Sequence, residues 1–126
     1  MLGDSPVWTA VPVKDPKAAR EFYEGVLGLK AANEMPDGSI EYKAGNNTGL
    51  FTYPTPNAGK SPATLASWKV DDLEKTVGEL KAKRVKFEDY DMPGLKTVEG
   101  IATMHGASAA WFKDPDGNIL NLFQSN

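Results

Sequence analysis

The chain contains no cysteine and a single histidine, His105, among 126 residues. Without Cys, disulfides, thiolate metal sites and a Cys nucleophile are all excluded. No apolar run approaches the ~18 residues a membrane helix needs. The opening MLGDSPVW has neither the basic nor the apolar region of a secretory leader. These two absences make a cytoplasmic protein without membrane contact the expectation. Nor is there a Lys/Arg cluster interleaved with aromatics. A formal charge of -3 and a pI near 5.1 argue further against a nucleic-acid partner. No Gly-rich phosphate loop and no Ser-His-Asp arrangement stands in the chain.

What is present is the composition of a soluble globule, 40% hydrophobic and 25% charged, in a length that makes one domain with a sizeable core. The most organised stretch is WFKDPDGNILNLFQ, residues 111–124. Two apolar runs flank Asp114-Pro115-Asp116-Gly117, a turn whose residues each have a reason to be there. Asp suits the first position, Pro presets φ at the second, and Gly117 can take the left-handed conformation that closes a hairpin. Asn118 is expected to hydrogen-bond back across that turn.

From the N-terminus, Val7 to Val13 alternates as a half-buried strand. Trp8, Ala10 and Pro12 stand on one face, Val11 and Val13 on the other. Asp15-Pro16 is a helix start, with Asp as N-cap and Pro at the first helical position. Ala18, Ala19, Phe22, Tyr23, Val26 and Leu27 then form an apolar stripe that predicts a helix over 16–27, closed by Gly28. Strands are predicted at 40–43 and 50–53. The breaker-rich PTPNAGKSP at 54–62 reads as a linker between halves.

The second half begins like the first. A strand at 64–70 leads into Asp71-Asp72 and a helix over 72–83 carrying Leu73, Val77 and Leu80. Asp71 and Glu74 have the spacing of a capping box. A shift of 57 residues superimposes Val13-Lys14-Asp15 on Val70-Asp71-Asp72, and Trp8 on Leu65. A strand is predicted at 85–88, then an irregular segment over 89–106, then the terminal hairpin. Strand, helix and several strands, twice over, is an internal repeat. The organisation is one domain of two modules, about 7–53 and 64–124, joined by a linker at 54–63.

VKDPKAAREFYEGVLGL, then VDDLEKTVGEL, then FKDPDGNILNL, in this order, resembles the vicinal oxygen chelate superfamily. Glyoxalase I, the bleomycin-resistance proteins and the extradiol dioxygenases belong to it. The resemblance spans about residues 7–124. It implies an α+β fold of paired βαβββ modules, a curved mixed sheet enclosing a cleft, and a homodimer. It also implies metal ligands at four points: the position of Trp8, one in the stretch Leu50-Phe51-Thr52-Tyr53, the position of Leu65, and the position of Asn121. A divalent ion requires carboxylate, imidazole or several oxygens. Trp and Leu supply none, and Asn and Thr only neutral oxygens. The chain therefore reads as a member with no metal and no cofactor.

Strand parity and the resemblance together nominate a ligand-binding set: Trp8, Ala10, Thr52, Leu65, Ser67, Trp111, Asn121 and Phe123. Apolar walls with a few placed polar groups suit a small planar or aromatic molecule. Within that set Trp8 and Phe123 stack, and Asn121 and Ser67 orient a polar edge. The alternative is an enzyme of the same superfamily, a lyase, isomerase or dioxygenase-like protein. It would be metal-independent with His105 as general base, or would use a metal site outside these positions. The segment 89–106, long for a loop, is the expected cover of the cleft.

Overall fold

The computed structural model describes residues 1–125. By their internal contacts the described residues form two compact units, 1–60 with 115–118, and 61–114 with 119–125. Each unit runs strand, helix, then further strands, around a mixed sheet.

In unit one, β1 (Thr9–Val13) leads into α1 (Pro16–Arg20), which widens into π-helical turns over Glu21–Val26. The Asp15 carboxylate accepts from the amides of Lys17 and Ala18, and Pro16 needs no amide partner. The predicted single helix over 16–27 is thus α-helical only in its first turn and a half. Leu27 donates to the Phe22 carbonyl five residues back, at 2.9 Å. Gly28, at φ 75°, then turns the chain. The strands β2 (Lys30–Glu34), β3 (Ile40–Lys43) and β4 (Gly49–Pro54) complete a sheet of order β1-β4-β3-β2, with β1 parallel to β4.

One face of this sheet is covered. Val11, Val13, Leu50, Thr52, Ile40 and Tyr42 are all buried there, with Ala19 and Tyr23 of the helical segment. The Tyr23 and Tyr42 rings lie 6.2 Å apart. The Tyr42 hydroxyl donates to Glu24 Oε2 at 3.0 Å, and burial, with that carboxylate beside it, pushes the phenol pKa upward.

In unit two, β5 (Thr64–Lys69) precedes α2 (Leu73–Ala82). The cap of α2 is Asp72, which accepts from the Lys75 amide at 3.1 Å, and not Asp71. The repeat had pointed there, since Asp72 stands 57 residues after Asp15. Next come β6 (Asp91–Met92), β7 (Leu95–Val98), β8 (Ile101–Met104), β9 (Ala107–Lys113) and β10 (Ile119–Ser125). The order is β5-β10-β9-β8-β7-β6, with β5 parallel to β10. Leu73, Val77 and Leu80 of α2, with Phe87, Ala110, Phe112, Leu120 and Leu122, are buried as the core. Each fully buried Phe or Leu contributes about 1.5–3 kcal/mol relative to exposure.

Two expectations for this unit are corrected. The strand over 85–88 is a single bridge, Phe87 to Phe112. The segment 89–106 holds three strands joined by the two-residue turns Pro93-Gly94 and Glu99-Gly100, and a third such turn, His105-Gly106, leads into β9. Glu99 and Gly100 both take positive φ, 53° and 86°, the geometry of a type I′ turn. A β-carbon at position 100 would stand 2.8 Å from the Phe87 β-carbon, so the residue must be glycine on two counts.

Candidate functional site

In each sheet the face opposite the helix is the one free to meet a ligand. Its residues follow from register, because side chains alternate along a strand and paired residues share a face.

On the second sheet, Ser67, Asn121 and Trp111 form one row across β5, β10 and β9. The next row is Lys69, Phe123 and Ala109. Leu65 falls at a shift of register, between Thr64 paired to Ile119 and Ala66 paired to Leu120, and has no partner across the ladder. The register thus brings together four of the nominated residues: Ser67, Trp111, Asn121 and Phe123. Trp111 is held at two points. Its Nε1 donates to Thr64 Oγ1 at 3.2 Å, and the Tyr90 ring stands perpendicular to it, centroids 5.6 Å apart. Asn121 is buried, 7% exposed, and hydrogen-bonded to Ser67 and to the Ala110 carbonyl. Sequence reading missed Tyr90. Its place was hidden because the residues around it carry no alternation long enough to read as strands.

On the first sheet, Ala10 pairs with Phe51, and Phe51 with Glu41. Trp8 lies just before β1, half-buried, against Gly49. Phe51 and Tyr53 face the same way, ring centroids 6.1 Å apart. Thr52 does not reach this face. It pairs with Val11 and Ile40, is 3% exposed, and belongs to the helix-covered core. The resemblance pointed to the stretch 50–53 as a whole, and parity puts Phe51 and Tyr53 on the open face. Glu41 accepts from Asn33 Nδ2 at 2.8 Å, so the face carries one held carboxylate among three aromatic rings.

His105 sits in the exposed turn between β8 and β9. Among the described residues no hydrogen bond or ion pair orients its ring. Asn118 reaches beyond its own turn. Its Nδ2 donates to the Pro12 carbonyl at 2.7 Å and its Oδ1 accepts from the Gly59 amide at 3.1 Å. A groove of about 320 Å³ beside Arg20, Glu34, Met35 and Ile40 lies within unit one. Of its two cations, Lys17 and Arg20, the arginine is already bound by Glu24 and Glu34, and its hydrogen bond holds the Glu34 carboxyl below its usual value.

The metal positions implied by the resemblance can be tested on donor chemistry. Phe51 pairs with Ala10 as Asn121 pairs with Ser67, and Ala10 and Ser67 are 57 residues apart. The β4 position is therefore Phe51. The four positions offer an indole, a phenyl ring, an isobutyl group and one amide. That set does not fit a divalent ion. Among the described residues no group of three or more His, Cys, Asp or Glu side chains gathers elsewhere.

Solved structures share the fold. The antibiotic-binding protein TnmS3 of a Streptomyces species superimposes with a TM-score of 0.73 at 22% identity, over 100% of this chain and 99% of its own. A lactoylglutathione lyase from Agrobacterium tumefaciens gives 0.70 at 18% identity, over 95% and 93%. A glyoxalase/bleomycin resistance protein from Catenulispora acidiphila gives 0.69 at 19% identity, over 96% and 98%. No curated protein sequence matches the chain. A family model matches residues 5–122, and by that match the chain belongs to the glyoxalase/bleomycin resistance protein/dioxygenase superfamily.

Proposed function

We propose that this chain binds a small planar, largely apolar molecule on the open face of its second sheet, without a metal ion. The observation that carries the reading is the row Ser67–Asn121–Trp111. It sets an immobilised indole and an exposed hydroxyl on one surface, at the place where the family's chemistry would need a carboxylate. Phe123, one row on, extends the apolar surface. Stacking on a fixed aromatic ring contributes ~0.5–1.5 kcal/mol beyond area burial. The fold likeness to an antibiotic-binding protein is consistent with a binding role and says nothing of the ligand.

Trp8, Phe51 and Tyr53 make a second aromatic surface of the same kind on the first sheet. We take the protein to be a cytoplasmic C2 homodimer. The exposed apolar side chains of Met92 and Val98, 50% and 68% exposed, suit burial against a second copy. Among the described residues no helix is long and apolar enough to cross a membrane. The enzyme reading finds no group that orients His105 as a base.

The test is a thermal-shift screen of planar aromatic compounds, followed by titration of hits against wild type and Trp111→Leu. Binding confined to native protein raises its melting temperature. A hit that binds Trp111→Leu as tightly as wild type overturns the assignment of this face.

A further inference from the structure

The hydrogen bonds around Asn121 fix a polarity. Its Nδ2 donates to the Ala110 carbonyl at 3.2 Å, which only the nitrogen end of the amide can do. Oδ1 therefore faces Ser67, and an amide oxygen accepts but never donates. The contact between Ser67 Oγ and Asn121 Oδ1 must then carry the one proton of the serine hydroxyl. Ser67 is exposed, and no other hydrogen bond engages it among the described residues. What it turns to an incoming molecule is lone pairs only.

The neighbours sharpen this. The Trp111 N–H is taken by Thr64, so the indole offers a ligand its ring and no donor. Lys69, exposed and two residues along the same face, adds positive charge beside Ser67. An ammonium group would satisfy a lone pair but meet like charge there. From Trp111 to Ser67 is two strand spacings, about 10 Å. Resting on the reading that this face binds a planar molecule, we infer that Ser67 is an obligate acceptor subsite, and that the ligand is an uncharged or acidic fused aromatic with a hydroxyl or N–H donor on its edge.

The experiment uses three probes of one shape: 2-naphthol, 2-methoxynaphthalene and 2-naphthylmethylammonium, titrated into the full chain by NMR. Wild type should prefer the naphthol about tenfold over the ether, with the ammonium weakest. Ser67→Ala should bring naphthol and ether to near equality by weakening the naphthol alone. Trp111→Leu should weaken both and keep their ratio. Asn121→Leu, which frees the serine proton to donate, should narrow the ratio by strengthening the ether, an effect that lost packing would not produce. If naphthol and ether bind wild type equally while Trp111→Leu weakens both, the acceptor subsite is wrong and the binding face stands. If neither Trp111→Leu nor Ser67→Ala changes any affinity, the face itself is wrong.

Discussion

Trp8 lies against the α-carbon of Gly49: a β-carbon there would stand 3.0 Å from the ring's Cδ2 and Cε3 and 2.5 Å from the Tyr42 carbonyl oxygen. The glycine is what lets an indole rest on the edge of the first sheet. Gly49→Ala should destabilise the protein by about 1–3 kcal/mol, since the backbone oxygen cannot yield as a flexible side chain would. It should also shift the Trp8 emission. Chemical denaturation and fluorescence of a Trp68→Phe, Trp111→Phe background measure both. Unchanged stability with unchanged emission would show that the ring does not rest there.

Helix capping separates two adjacent aspartates. Asp72→Ala removes the acceptor for the Lys75 amide and should lower stability by about 0.5–2 kcal/mol. Asp71→Ala, at an exposed position outside the cap, should stay within about 0.5 kcal/mol of wild type. Urea midpoints decide it, and equal losses would contradict the cap assignment.

Tyr42 predicts alkaline behaviour. Its folded pKa is raised above the ordinary 10.0, by burial first and the Glu24 contact second. A raised value means that stability is fully present below pH 10 and falls as the pH climbs from there toward the folded pKa. Tyr42→Phe should flatten that alkaline decline while losing about 0.5–1.5 kcal/mol at neutral pH with the hydrogen bond. Melting temperatures between pH 7 and pH 11, as estimates bracketing the tyrosine range, test the sign. A variant that declines as steeply as wild type would assign the loss to other groups.

Metal content follows from the donor set. Purified protein should hold well under one equivalent of Zn, Ni, Fe or Mn per chain, and a chelator should leave its melting temperature unchanged. One tightly held equivalent would restore a glyoxalase-type centre.

For assembly, light scattering should give twice the 13.6 kDa of one chain over a wide concentration range. A monomer throughout would dismiss the dimer and leave the fold untouched.

The repeat was the legible part of this sequence, because Asp15-Pro16 and Asp71-Asp72 punctuate strong apolar stripes at equal distances. Strand β2 was not legible: all five of its residues are exposed, so no alternation marks it. The strands β6 to β8 are two to four residues long, too short for a period of two to declare itself. A signal did exist there, as Gly94, Gly100 and Gly106 recur every six residues, the rhythm of two-residue turns between four-residue strands. Of the site, parity placed Ala10, Ser67, Asn121 and Phe123 on open faces, whereas Thr52 rested on the resemblance, and the register gives its place to Phe51 and Tyr53. The role of Asn121 could not be read at all, since its partners are a carbonyl on one neighbouring strand and a hydroxyl on the other.

Unit one borrows residues 115–118 from the far end of the chain. The Asn118 side chain that satisfies the Pro12 carbonyl is 106 residues away in sequence. During synthesis, then, the first strand and helix emerge long before the turn that completes their unit exists. A fragment ending at residue 60 would leave the Pro12 oxygen and the Gly59 amide to water. Loop closure over such a span slows folding, so the N-terminal half should acquire its final amide protection only after the last hairpin has been made.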